Sequence, residues 1–111
     1  MMSKDELVHL LNIFREDTER NFTKIGLYST IGCCFAKNYD WAFERIDLIL
    51  ETFNNNNLFT EIIISKISEA NYTIDQHIKL LELFFREKNL VKNNDLVFAK
   101  YLCNLIKNQK Y

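Results

Sequence analysis

Proline is absent from this chain of 111 residues, and glycine occurs only twice, at Gly26 and Gly32. Tight turns and long irregular loops lean on those two residue types for their backbone conformations. Their scarcity excludes a loop-rich fold and removes most of the segments on which active sites are usually carried. Cysteine is also scarce: Cys33, Cys34 and Cys103. An odd number, with two adjacent inside an apolar stretch, argues against a disulfide framework and leads us to expect buried free thiols in a reducing compartment. No apolar run reaches the roughly 20 residues that a bilayer-crossing helix needs. The longest stretch without a charge is the twelve residues Ile25 to Ala36. The segment MMSKDELVHLL places acids where a signal peptide has its apolar region, so the expected location is cytoplasmic, with no membrane partner. Gly-rich phosphate loops, nucleophile elbows and kinase or hydrolase signatures are missing as well.

What is present is the composition of one globular domain spanning residues 1–111, 48% hydrophobic and 26% charged. The formal net charge of −1 excludes a globally basic nucleic-acid binder. Residues 1–55 carry six Lys/Arg against nine Asp/Glu, and residues 56–111 carry eight against six. The acidic excess therefore lies in the first half. Nine Phe and five Tyr predict a well-filled core and leave aromatics for a contact surface.

Asparagines punctuate the chain where glycine and proline do not: Asn21, Asn38, Asn54–Asn57, Asn71, Asn89 and Asn93–Asn94. Their side chains satisfy local backbone groups at turns and caps. Between them apolar residues recur at spacings of three and four, which predicts helices. Six are expected. The first covers about Lys4–Phe14, with Leu7, Leu10, Leu11 and Phe14 on one face. The second covers about Asp17–Lys37, capped by Thr18 or Asp17, and its charge-free part Ile25–Ala36 is expected to be a buried central helix. The third covers about Asp40–Phe53, with Phe43, Ile46, Ile49, Leu50 and Phe53 inward. The fourth covers about Leu58–Ala70, with Phe59, Ile62, Ile63 and Ile67 inward. The β-branched run at 62–65 is read as helix because its flanks keep helical spacing. The fifth follows Thr73 to about Lys88, with Ile78, Leu81, Phe84 and Phe85 inward. The sixth covers about Asn94–Lys107, with Leu96 or Val97, Tyr101 and Leu105 inward. Gly26 and Gly32 are expected where helices approach closely, Gly32 alternatively as a break.

A period of 35 runs through this pattern. Asp5, Asp40 and Asp75 align, and so do Val8, Phe43 and Ile78, then Leu11, Ile46 and Leu81. That period fits three helical hairpins stacked as a short α-solenoid; the competing account is that amphipathic helices of similar length align by chance. Either way the fold class is all-α.

One face stands out. Asp40, Glu44, Asp47 and Glu51 are spaced four, three and four apart on the third helix, so their carboxylates share one side. On the repeat register Asp75 follows Asp40 and Glu82 follows Asp47, which extends the strip. Like charges at that spacing repel by a few tenths of a kcal/mol per pair, a cost that a basic partner reverses. Tyr39 and Trp41 flank the start of this helix and are either core or the aromatic anchors of an interface. Metal binding and thiol catalysis are not expected, because no Cys/His pair has ligand spacing and buried thiols are inert. No cofactor is expected, and nothing marks a carboxylate pair as acid and base. The lysines near the end, Lys100, Lys107 and Lys110, suit the negative end of the last helix.

In its size, its lack of a catalytic motif and its Asn/Lys/Ile/Phe-heavy usage, the chain resembles the bacterial immunity proteins of toxin systems such as contact-dependent growth inhibition. That resemblance implies a non-enzymatic inhibitor that covers the active site of a nuclease toxin. Its acidic strip Asp40, Glu44, Asp47, Glu51 and Glu82, with Tyr39 or Trp41 at the rim, would then meet the basic residues with which the toxin holds phosphate. The segment Ile31-Gly32-Cys33-Cys34-Phe35-Ala36-Lys37, followed by Trp41, is similar to a segment of the poxviral Bcl-2-like proteins, and implies instead an apolar groove for a host helix. There, however, several helices precede the segment, whereas here one precedes it and four follow. A small helical-repeat adaptor is the third reading. Oligomeric state is open at this level.

Overall fold

The computed structural model describes residues 2–16, 22–53 and 57–107, and every regular element among them is helical. In chain order these are α1 (Lys4–Glu16), α2 (Phe22–Lys37), α3 (Tyr39–Phe53), α4 (Asn57–Ser68), α5 (Ile74–Phe85), α6 (Lys88–Asn93) and α7 (Asp95–Lys107). None of them is long and apolar enough to cross a membrane.

Side-chain caps open three of the helices, as the residue types predict. The Ser3 hydroxyl accepts the Glu6 N–H and donates to the Glu6 carboxylate, both at 3.2 Å, ahead of α1. Asn38 Oδ1 accepts the Trp41 N–H at 3.0 Å and so starts α3 directly after α2. Thr73 and Gln76 form a reciprocal capping box at the head of α5. The cap expected at Asp17 or Thr18 lies outside the described residues. α2 runs through Gly32 without a break.

The helix α6 was not expected. Asn89 and Asn93–Asn94 read as breaks, but Leu90 is buried and pins the segment to the core. Asn94 then donates from Nδ2 to the Leu90 carbonyl at 2.9 Å, which ends α6 and hands the chain to α7. One apolar anchor and one side-chain hydrogen bond suffice for a helix too short to show periodicity.

The core forms where α2 lies along α4 and α4 meets α7 and α3. Tyr28 of α2 stands edge-on to Phe59 of α4, with centroids 4.7 Å apart. Phe35 of α2 meets Trp41 of α3 in the same manner at 4.9 Å. Phe84 of α5 meets Phe98 of α7 at 5.7 Å. Such pairs contribute about 0.5–1.5 kcal/mol beyond the area they bury. α2 is not the fully enclosed helix expected of its composition. Tyr28, Ile31, Gly32 and Phe35 are buried, but Ile25, Gly26, Thr30 and Cys33 face out. The more enclosed helix is α4, which buries Phe59, Thr60, Ile63, Ile64, Ile67 and Ser68. The cysteines correct in the same direction: Cys33 and Cys103 are exposed and Cys34 half-buried. A charge-free run fixes what a helix tolerates, and its neighbours decide how much of it they cover.

The expected inward residues Ile46 and Leu50 of α3 and Leu81 and Phe84 of α5 are buried, while other positions of these two helices depart from the expectation. Ala42, Ile46 and Leu50 point inward on α3, and His77, Leu80, Leu81 and Phe84 on α5. Phe43, Ile78 and Phe85, expected inward, are exposed. The side chains of Leu11, Phe14, Ile49 and Phe53 lie outside the description. In the 35-residue register two sets of positions are buried in all three copies, Leu7, Ala42 and His77, and Tyr28, Ile63 and Phe98, while Asp5, Asp40 and Asp75 are all exposed.

The two glycines differ. A Cβ on Gly32 would come within 2.7 Å of Lys66 Cγ and 3.0 Å of Lys66 Cβ on α4, whereas one on Gly26 would meet nothing within 4 Å. Gly26→Ala is therefore expected to stabilise the protein by about 0.5–1 kcal/mol through helix propensity. Gly32→Ala makes the same propensity gain but overpacks the α2–α4 contact, at about 1–3 kcal/mol, and is expected to destabilise. Urea midpoints moving in opposite directions are the check.

Candidate partner-binding face

The outer side of α3 carries Asp40, Glu44, Asp47 and Glu51, all exposed. Phe43, 38% exposed, lies at the edge of this strip, on the side of Asp47. Among the described residues a single ion pair occurs, and it lies here. Arg45 Nη1 reaches Glu44 Oε2 at 3.3 Å, and the Arg45 side chain is largely buried while that of Glu44 is open to solvent. The guanidinium lies over the Trp41 ring, 4.7 Å from its centroid, and donates to the Trp41 carbonyl at 3.1 Å. Asp40, Asp47 and Glu51 have no cation within ion-pair distance among the described residues. The strip is thus exposed and, among the described residues, largely uncompensated. Glu82 is exposed on α5, a helix that α3 touches.

The two flanking aromatics part ways. Tyr39 is half-buried, its ring 5.5 Å from Phe43 and 5.5 Å from Tyr72. Burial, helped by the neighbouring Asp40 charge, raises its phenol pKa above the ordinary value. Trp41, open from the sequence as either core or an anchor at the rim, is core. It is 7% exposed, packs on Phe35, and its indole N–H donates to the Met2 carbonyl at 2.7 Å. Arg45 lies over its ring, Phe35 packs against it and Met2 takes its polar edge, which leaves little of it for a partner. Phe43 is the aromatic that the surface offers in its place. Sequence reasoning placed Phe43 inward by hydrophobicity alone; reading Ala42 as the core position would have found it.

Inward from this face the rings continue: Tyr72 lies 5.2 Å from His77, and His77 lies 5.4 Å from Tyr101. The Tyr72 hydroxyl donates to the Phe35 carbonyl, and burial pushes its pKa up to about 12. His77 is buried between two partners, Ala70 carbonyl at 3.1 Å from Nε2 and Tyr101 hydroxyl at 2.6 Å from Nδ1. A carbonyl only accepts, so Nε2 carries the proton and Nδ1 accepts from Tyr101. Burial lowers the His77 pKa, the Ala70 hydrogen bond opposing it, and raises that of Tyr101. Both imidazole nitrogens are thereby committed to the protein itself. The described residues contain no group of three or more His, Cys, Asp or Glu placed to hold a metal ion.

The lowered His77 pKa has a sign that can be measured. The unfolded chain takes up the imidazole proton more readily than the folded one, so stability is full above the ordinary value of about 6.5 and falls as the pH drops below it. Denaturation midpoints are expected to decline from about pH 7 to pH 5, and His77→Gln is expected to flatten that part of the profile.

The chain matches no protein-family model, no curated protein and no solved structure.

Proposed function

We propose that this chain is a protein-binding inhibitor of the immunity kind, which neutralises a basic nuclease toxin by covering its active site and performs no reaction itself. The observation that carries this reading is the outer face of α3: four exposed carboxylates, three without a cation among the described residues, with an exposed phenylalanine at their edge. Such a face offers phosphate-like charge at fixed spacing, with Phe43 as the apolar anchor. Glu82 and Tyr39 extend it, and Arg45, held on Trp41, keeps the strip on a rigid helix. We also infer that the helices stack as three hairpins, α1–α2, α3–α4 and α5–α7. The packing of α2 on α4 and α4 on α7, with α3 against α5, supports that stack and puts α4 in its middle.

The test is binding to a basic nuclease toxin domain, measured across a salt series. Association through the strip is expected to slow steeply as salt rises, because exposed charges are screened within about 8–10 Å at physiological ionic strength. Binding indifferent to salt would assign the partner to an apolar groove instead, and overturn the charge reading.

A further inference from the structure

The last helix is apolar on two opposite sides. Asn94, Phe98 and Tyr101 are buried along its inner line, with Val97, Asn104 and Leu105 half-buried beside them. At about 100° per residue, the positions on the far side of the helix axis are 96, 99, 103 and 106. These are Leu96, Ala99, Cys103 and Ile106, all exposed, Leu96 at 75% and Ile106 at 67%. A helix lying on a core normally turns charge and polarity outward there. Here Asp95, Lys100 and Lys107 sit on the flanks, and the exposed Leu102 widens the apolar line.

Spacings of three, four and three are those of the a and d positions of a coiled coil. We propose that this outer face of α7 is the seam of a parallel, two-fold homodimer. The charges choose the occupant and its direction. With Leu96 and Cys103 at a, and Ala99 and Ile106 at d, Asp95 falls at g and Lys100 and Lys107 at e. In a parallel pair each g residue faces the following e residue of the partner, so Asp95 of one copy meets Lys100 of the other, twice over the symmetric contact. An antiparallel pair would set e against e and bring lysines onto lysines. A second copy in parallel register therefore supplies both the apolar cover and the opposite charge. A helix of 13 residues is only about 20 Å long, so the contact is small and the dimer a weak one. The seam is separate from the acidic face of α3, and the proposal stands whether or not that face binds a toxin.

Sedimentation equilibrium on the full chain tests it, from micromolar to millimolar concentration. The expected result is a rise from the monomer mass to twice that mass, abolished in the double variant Leu96→Lys, Ile106→Lys with its helical circular dichroism unchanged. Cys103 serves as a reporter of register. In a Cys33→Ser, Cys34→Ser background, mild oxidation with diamide is expected to join two copies through Cys103, and Lys100→Asp is expected to weaken the dimer at least tenfold, with Asp95→Lys added to it restoring the dimer. A monomer at every concentration overturns the proposal, as does a dimer that survives the Leu96/Ile106 substitutions. A dimer that needs Leu96 and Ile106 but never links through Cys103 overturns the parallel register.

Discussion

Replacing Glu44 and Asp47 together by lysine is expected to abolish protection against the cognate toxin, with affinity lowered by at least about a hundredfold and the fold intact. Two carboxylates become two cations on a surface that, on the proposed function, faces Lys and Arg. Like-charge juxtaposition across an interface costs several kcal/mol, and each 1.4 kcal/mol is a factor of about ten. Stability has little reason to fall. Both side chains are exposed, the one ion pair lost is the Arg45–Glu44 contact at the surface, and such pairs are worth about 0–1 kcal/mol. Removing negative charge from a strip with spacings of three and four also relieves a few tenths of a kcal/mol of repulsion per pair. The substitutions should act mainly on the association rate, and the salt dependence of that rate should shrink with them. Phe43→Ala provides the contrast, since truncating an anchor acts mainly on dissociation. Full protection by the doubly reversed variant would remove α3 from the interface.

How much of this was legible in the sequence depends on which residue is asked. Helical class followed from spacing alone, the start of α5 after Thr73 was read correctly, and the break at Asn38 marked where α3 begins. The four carboxylates of α3 were placed correctly on one exposed side, because charged side chains leave the core whatever else happens. Aromatics were harder. Trp41 and Phe43 are two residues apart on one helix, and hydrophobicity does not say which of them is turned inward. The answer rests on Ala42, whose small side chain lets α3 seat closely, and on Met2, whose carbonyl receives the Trp41 indole from 39 residues away. No local pattern encodes that pairing. The same holds for His77, a polar residue on the line of Leu7 and Ala42 in the 35-residue register. It can be buried there only because Ala70 and Tyr101 meet both of its nitrogens. α6 was invisible for a different reason: six residues are under two turns, too few for a period to show.

The buried imidazole also sets the second large effect. Tyr101→Phe keeps the ring and removes only the hydroxyl that donates to His77 Nδ1 at 2.6 Å. A buried acceptor left without its donor costs about 1–3 kcal/mol, and that is the expected loss for this one-atom change. Tyr101→Ala is expected to cost more. Tyr101 is among the largest fully buried side chains, and emptying such a site costs about 3–5 kcal/mol for an aromatic ring, with the unpaired His77 nitrogen added. Against a total stability of about 5–15 kcal/mol for a domain, the alanine variant should be close to unfolded at ordinary temperatures. A double-mutant cycle of Tyr101→Phe with His77→Gln isolates the hydrogen bond, since the phenylalanine keeps the edge-on ring contact with His77. If Tyr101→Phe leaves the urea midpoint unmoved, the hydroxyl does not serve His77. The falling stability expected below about pH 6.5 would then have to come from desolvation of the imidazole alone.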